Sequence, residues 1–203
     1  MGSNTSVLLQ VDIQAISSET GFTHNQIKRL YGRFTSMDKD TKGYLTKQDL
    51  MLIPELHVNP LRDRIIEVLI EDHGKNGKLN FRQFSQVFAT FRRGKNHQNQ
   101  QRENSNGETS TNEPNSKESK LRFLFRIYDR DKDERINKSE LLSILNMLVG
   151  QNLPEDQMNA LAERTIAELV TENEMQNAIT YKKFCETLSK IDIEDKMSMK
   201  FLS

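Results

Sequence analysis

Asp129-Arg130-Asp131-Lys132-Asp133-Glu134-Arg135-Ile136-Asn137-Lys138-Ser139-Glu140 is the segment from which the rest of the chain falls into place. Carboxylates stand at the first, third, fifth and twelfth positions. A hard dication such as calcium takes six to eight oxygens, and a loop of this length supplies them at those places. Asp129, Asp131 and Asp133 offer one oxygen each, Arg135 its backbone carbonyl, and Glu140 two oxygens. Asn137 can hold a water or coordinate directly. The sixth position is Glu134, where the sharp turn usually takes glycine. A left-handed residue that is not glycine costs about 1–2 kcal/mol. That is small against four converging carboxylates, so binding is expected to survive with some loss.

Ile136 sits at the eighth position of this loop, and Leu141 opens a helix five residues later. The same pair recurs as Leu45 with Leu50, Leu79 with Phe84, and Ile179 with Phe184. This is the frame of the EF-hand, in which helix, 12-residue loop and helix follow one another and the position-8 residues of two loops pair as short strands. Four frames in order predict an all-α fold of two EF-hand pairs. Helical stripes support it: Ile27, Leu30, Tyr31 and Phe34 are spaced i, i+3, i+4, i+7, and Leu121, Leu124, Phe125 and Tyr128 repeat the spacing. A third stripe runs Met158, Leu161, Ala162, Thr165, Ile166, Leu169. Asn59-Pro60 reads as N-cap and first turn of a helix carrying Leu61, Ile65, Ile66 and Leu69.

From Arg93 to Lys120 there is no aliphatic or aromatic residue beyond the ring of Pro114, so this stretch reads as a flexible polar linker. The expected organisation is an N-terminal arm and first helix over 1–22, an EF-hand pair over 23–92, the linker over 93–120, and a second pair with a tail over 121–203.

The other three loops are poorer in ligands. The first, Asp38 to Asp49, has Lys42 at position 5 and the short Asp49 at position 12. It reads as structural, with weak calcium or magnesium binding left open. The second, Asp72 to Gln83, carries Gly74 and Gln83 at ligand positions; the fourth, Glu172 to Lys183, carries Gln176 and Lys183. An ammonium where the bidentate carboxylate belongs excludes the ion. One calcium site is expected, in the third loop, with magnesium as a competitor.

The formal net charge is +0, so no global basic field favours nucleic acid. His24, His57, His73 and His97 are scattered, Cys185 stands alone, and no phosphate-binding glycine loop occurs, so catalysis is not expected. A lone cysteine suits a reducing compartment. No apolar run reaches the length of a membrane span, and the N-terminus lacks a secretory signal pattern. The opening Met1-Gly2-Ser3-Asn4-Thr5-Ser6 fits N-myristoylation at Gly2. One acyl chain anchors only marginally, so stable membrane residence would need a protein partner as the second signal.

Apolar residues of the helices after the second and third loops, Phe88, Phe91, Leu145, Met147 and Leu148 among them, exceed what pairing two helices requires. Most must fill the cores; a minority is expected to line a groove for an amphipathic helix. The tail residues Met197, Met199, Phe201 and Leu202 are candidates to cover it.

The sequence resembles the calcineurin B homologous proteins. The resemblance is carried by Leu8-Leu9, Glu19-Thr20-Gly21-Phe22, Gln26-Ile27-Lys28-Arg29-Leu30-Tyr31, Ile53-Pro54-Glu55-Leu56 and Asn59-Pro60-Leu61. It continues in Phe125-Arg126-Ile127-Tyr128-Asp129 with Asp131-Lys132-Asp133-Glu134, and in the tail from Asp192 to Leu202. It implies a myristoylated calcium-binding protein that grips the amphipathic juxtamembrane helix of a sodium/proton exchanger and supports its activity or trafficking. The same resemblance implies a cytoplasmic protein, peripheral on the plasma membrane and endomembranes. The calcineurin catalytic subunit is the alternative partner, to be served or inhibited. The fourth loop departs from the commoner pattern of that family, in which the third and fourth loops both bind calcium.

Overall fold

In the computed structural model two short antiparallel ladders organise the chain. Residues 10–92, 114–170, 177–189, 191 and 197 are described. Strand β1 (Tyr44–Leu45) pairs with β2 (Leu79–Asn80), placing Leu45 opposite Leu79. Strand β3 (Arg135–Asn137) pairs with β4 (Ala178–Thr180), placing Ile136 opposite Ile179. The four position-8 aliphatics are therefore the cross-strand partners the frame requires, and each is at most 4% exposed.

Helices flank the ladders: α1 (Gln10–Thr20), α2 (His24–Met37), the short α3 (Lys47–Leu50), α4 (Arg62–His73) and α5 (Phe81–Thr90) before residue 93. Beyond it lie α6 (Lys117–Tyr128), α7 (Lys138–Val149), α8 (Glu155–Leu169) and α9 (Tyr181–Leu188). Caps written in the chain set several of the starts. Thr23 with Gln26, Asn80 with Gln83, and Asn137 with Glu140 form reciprocal capping boxes at α2, α5 and α7. Asn59 stands too early to cap the helix expected after it. Its side chain accepts from Leu61 N–H at 2.9 Å as a turn, and α4 begins at Arg62.

Two boundaries differ from the sequence reading. Residues 93–113 of the expected linker lie outside the described residues, but 117–120 are helical. Ser116 caps α6, and Lys120 is 1% exposed, because polar residues propagate a helix whose apolar stripe begins one residue later. The second difference concerns α6 itself, which is buried on two faces. Phe123 and Ile127 join the core built by α1, α2, α4 and α5, while Phe125 packs with Ile136, Ala162, Ile166 and Ile179. The N-terminal core thus extends into the C-terminal half, and Ile144 of α7 and Met197 reach it as well. The two halves therefore share α6 as a common wall.

Candidate metal centre

The third loop is held between α6 and α7 by its own capping groups. Asp129 ends α6, its N–H donating to Phe125 O at 2.9 Å. Glu140 is the third residue of α7, and its Oε2 accepts from Asn137 N–H at 3.0 Å. Its Oε1 accepts from Arg130 N–H at 2.8 Å and Asp131 N–H at 3.3 Å. Position 12 is thereby folded back over positions 2 and 3. Asp131 Oδ1 accepts from Asp133 N–H at 3.2 Å, and Asp133 Oδ1 from Arg135 N–H at 2.9 Å, the tight turns that point successive carboxylates inward.

Carboxylate oxygens of Asp129, Asp131 and Asp133 lie within 4.8 Å of one another. Asp129 is the informative one. It is 0% exposed, and both its carboxylate oxygens are buried without a hydrogen-bond partner. A buried, unpartnered carboxylate is costly. Burial pushes its pKa up, with the charge of Glu140 adding to this, while the nearby N–H groups of Lys132 and Glu134 and the charge of Arg126 pull it back. This donor set fits a calcium ion: hard oxygens, high negative charge, and one buried ligand whose oxygens make no full hydrogen bond, the N–H groups of Lys132 and Glu134 offering only partial compensation.

Glu134 takes the left-handed conformation expected at position 6, with φ 64°. Its carboxylate pairs with Arg122, which also lies over the Tyr181 ring at 4.3 Å. Those contacts offset part of the strain that a glycine would avoid.

The first loop fills the same frame differently. There Asp38, the counterpart of Asp129, accepts from Lys42 N–H at 2.9 Å and Gly43 N–H at 2.7 Å. The Lys42 ammonium lies 3.2 and 3.1 Å from the two oxygens of Asp49 and 3.6 Å from Asp40. Hydrogen bonding to Asp49 holds the lysine above its ordinary pKa. A built-in cation stands among the carboxylates of this loop. In the second loop Gln83 and Asn80 cap each other, and Asp72 accepts from Arg126. In the fourth loop Glu172 to Gln176 lie outside the described residues; Lys183 sits in α9, its N–H donating to Thr180 Oγ1.

The expected groove residues do not share one surface. Phe88 and Phe91 are 6% and 5% exposed in the N-terminal core, Phe91 stacking edge-on to Phe123 at 4.9 Å. The N-terminal core takes up both, Phe91 against α6, which the sequence stripe did not reveal. Leu145 is half-buried against the C-terminal core, whereas Met147 and Leu148 are 37% and 45% exposed. Leu161 of the predicted α8 stripe is also exposed. Cys185 is half-buried, and burial pushes its thiol up, away from nucleophilic chemistry. Gly2, Met199, Phe201 and Leu202 lie outside the described residues. Among the described residues no helix is long and apolar enough to cross a membrane.

Two arginines escaped the sequence reading. Arg64 sits on the apolar face of α4 and is 4% exposed; Arg126, three residues before Asp129, is 8% exposed. A cation lying in an apolar stripe, between Leu61 and Val68 or between Phe125 and Ile127, was the available signal.

A family model described as an EF-hand domain matches residues 120–150, which span most of α6, the third loop and α7. Over 200 residues the chain is 34% identical to the calcineurin B subunit of Naegleria gruberi, covering 98% of this chain and 99% of that protein. This chain belongs to the calcineurin B family. As a member it is a calcium-binding EF-hand protein of regulatory type, and the family is not itself catalytic. The match runs through both halves of the chain.

Proposed function

We propose that this calcineurin B family member binds one calcium ion in the third loop, through Asp129, Asp131, Asp133, the Arg135 carbonyl and Glu140, and serves as a regulatory subunit gripping an amphipathic helix of a membrane partner. The orphaned, buried carboxylate of Asp129 carries the calcium reading. The filled first loop, where Lys42 stands in for the ion, supports a single site. Magnesium competes for the same oxygens, because it too is a hard cation, though one less tolerant of an irregular cage.

The partner reading rests on the resemblance to exchanger-binding members of this family, with Gly2 acylation bringing the chain reversibly to the plasma membrane and endomembranes. Exposed Met147 and Leu148 offer unbranched and branched apolar contacts that suit a helix surface. A calcineurin catalytic subunit is the second reading, favoured by the 34% identity to a calcineurin B protein along the whole chain. Calorimetric titration with the juxtamembrane helix of a sodium/proton exchanger, and separately with the helix by which a calcineurin catalytic subunit holds its regulatory partner, separates the two. Each is run in calcium and in chelator, with Glu140→Gln alongside. The first reading expects tighter binding of the exchanger helix. Preference for the calcineurin helix overturns it in favour of the second, and unchanged calcium uptake by Glu140→Gln overturns the third loop as the site.

A further inference from the structure

The N-terminal half reaches across to the third loop at its first residue. Arg64 of α4 donates through Nε to Ile127 O at 3.0 Å, and through Nη2 to Arg126 O at 2.6 Å and Asp129 O at 3.2 Å. These are carbonyls at the end of α6, where a helix has no intrahelical donors left and where a cation complements its dipole. The site is buried, so water does not replace the lost bonds if Arg64 is removed.

A second set of contacts runs the other way. Arg126 donates from Nη2 to Asp72 at 3.1 Å and Glu71 at 3.4 Å, and from Nε to Asp72 at 3.3 Å. Both acceptors stand at the end of α4, Asp72 being the first position of the second loop. Lys132 of the third loop pairs with Glu71 at 3.2 Å. The Arg126 guanidinium meanwhile has Nη1 3.4 Å from Asp129 O and 4.0 Å from the Asp129 carboxylate. It stands beside the orphaned ligand, and the two acids of α4 hold it to one side.

We infer that α4 belongs to the calcium site as a positioning element. Arg64 fixes the end of α6 so that Asp129 enters the loop at the right place, and Glu71 with Asp72 keeps Arg126 from neutralising Asp129 in calcium's stead. The second loop, poor in ligands of its own, serves as the clasp of its neighbour. The inference rests on the third loop being the calcium site. It also makes the two halves one thermodynamic unit, since coupling between sites is reciprocal: what α4 does for calcium, calcium does for α4.

The test uses the full chain and calcium alone. Arg64→Met keeps the apolar stem and removes the donors; its calcium affinity is expected to fall about tenfold, as for other residues that orient a ligand from behind. Asp72→Asn is a mild surface change that answers the same question if Arg64→Met fails to fold. Its effect is read in a cycle with Arg126→Gln. If Asp72 restrains Arg126, the gain in affinity from Arg126→Gln is several-fold larger in the Asp72→Asn background than in the wild type; independent charges would simply add. Hydrogen exchange supplies a readout free of mutation: calcium raises protection of α4 amides together with those of α7. Additive effects in the cycle, or α4 protection indifferent to calcium while α7 responds, overturn the inference and leave the third-loop site standing. If α7 does not respond either, the site reading fails and the inference with it.

Discussion

Replacing Asp129 by asparagine reverses its effect on stability according to whether calcium is present. The wild-type carboxylate is 0% exposed with neither oxygen hydrogen-bonded, so without the ion it is a buried charge held at a loss. Leaving a buried polar group unsatisfied costs about 1–3 kcal/mol, more when charged. Asparagine keeps the shape and drops the charge, recovering about 1 kcal/mol of that. In chelator, Asp129→Asn is therefore expected to melt about 2–4 °C above wild type, the shift that 1 kcal/mol gives a domain of this size. In calcium at a hundredfold excess over its Kd, wild type gains about 2.7 kcal/mol by mass action and the variant gains little. Wild type then leads by about 2 kcal/mol. The sign of the pH dependence follows from the raised pKa. A carboxyl whose folded pKa lies above its unfolded value near 3.9 binds more protons when folded. Without metal, its penalty is absent well below pH 4, grows as pH rises through the folded pKa, and is complete above it. Asp129→Asn lacks that slope. Thermal melts of both proteins in chelator and in calcium, across pH 4–7, measure all of this. A variant less stable than wild type in both conditions, or one stabilised by calcium as strongly as wild type, would refute the reasoning.

Glu134→Gly relieves a left-handed residue at φ 64° but gives up the Arg122 ion pair and adds unfolded-state entropy, so a net gain of only about twofold to fivefold in calcium affinity is expected by titration. Lys42→Asp removes the built-in cation of the first loop and is expected to add a second, weak calcium event in calorimetry, weak because Asp49 is too short to be bidentate; an unchanged stoichiometry of one would count against Lys42 as the stand-in. Phe125→Ala empties a fully buried position that stacks edge-on to Tyr181 and Phe184 at 5.2 and 5.4 Å, and should cost about 3–5 kcal/mol in denaturant unfolding. His73 has its pKa pushed down by burial despite the charge of Asp72. Its contribution to stability is present above the unfolded pKa near 6.5 and is lost as pH falls through that value toward the lower folded one. His73→Gln is expected to flatten that part of the stability profile.

Local chemistry was enough to place the loops and ladders. The spacing of Ile136 and Leu141, repeated three times, named the strand partners correctly because a position-8 residue has one geometric option, the facing loop. The ligand set of the third loop, the lysine that opposes metal in the first, and the capping boxes are all written within twelve or so residues, where side chain and backbone meet by local turn geometry alone. Groove residues were another matter. Phe88 and Phe91 belong to the same apolar stripe whether they face solvent, a partner or α6, and hydrophobic periodicity carries no label for the occupant.

What the sequence determined by itself was the EF-hand frame, the loop best fitted to hold calcium, and the loops poorer in ligand side chains. Tertiary structure alone decided that α6 is shared between two cores, that the Asp129 carboxylate is buried without a full hydrogen bond, and that Arg64 and Arg126 tie α4 to the third loop across a long stretch of chain. The physical reason is one of range. Ligand spacing and capping act over a few bonds and are legible in order, whereas desolvation and long-range ion pairing depend on which surfaces meet, and only the folded chain brings them together.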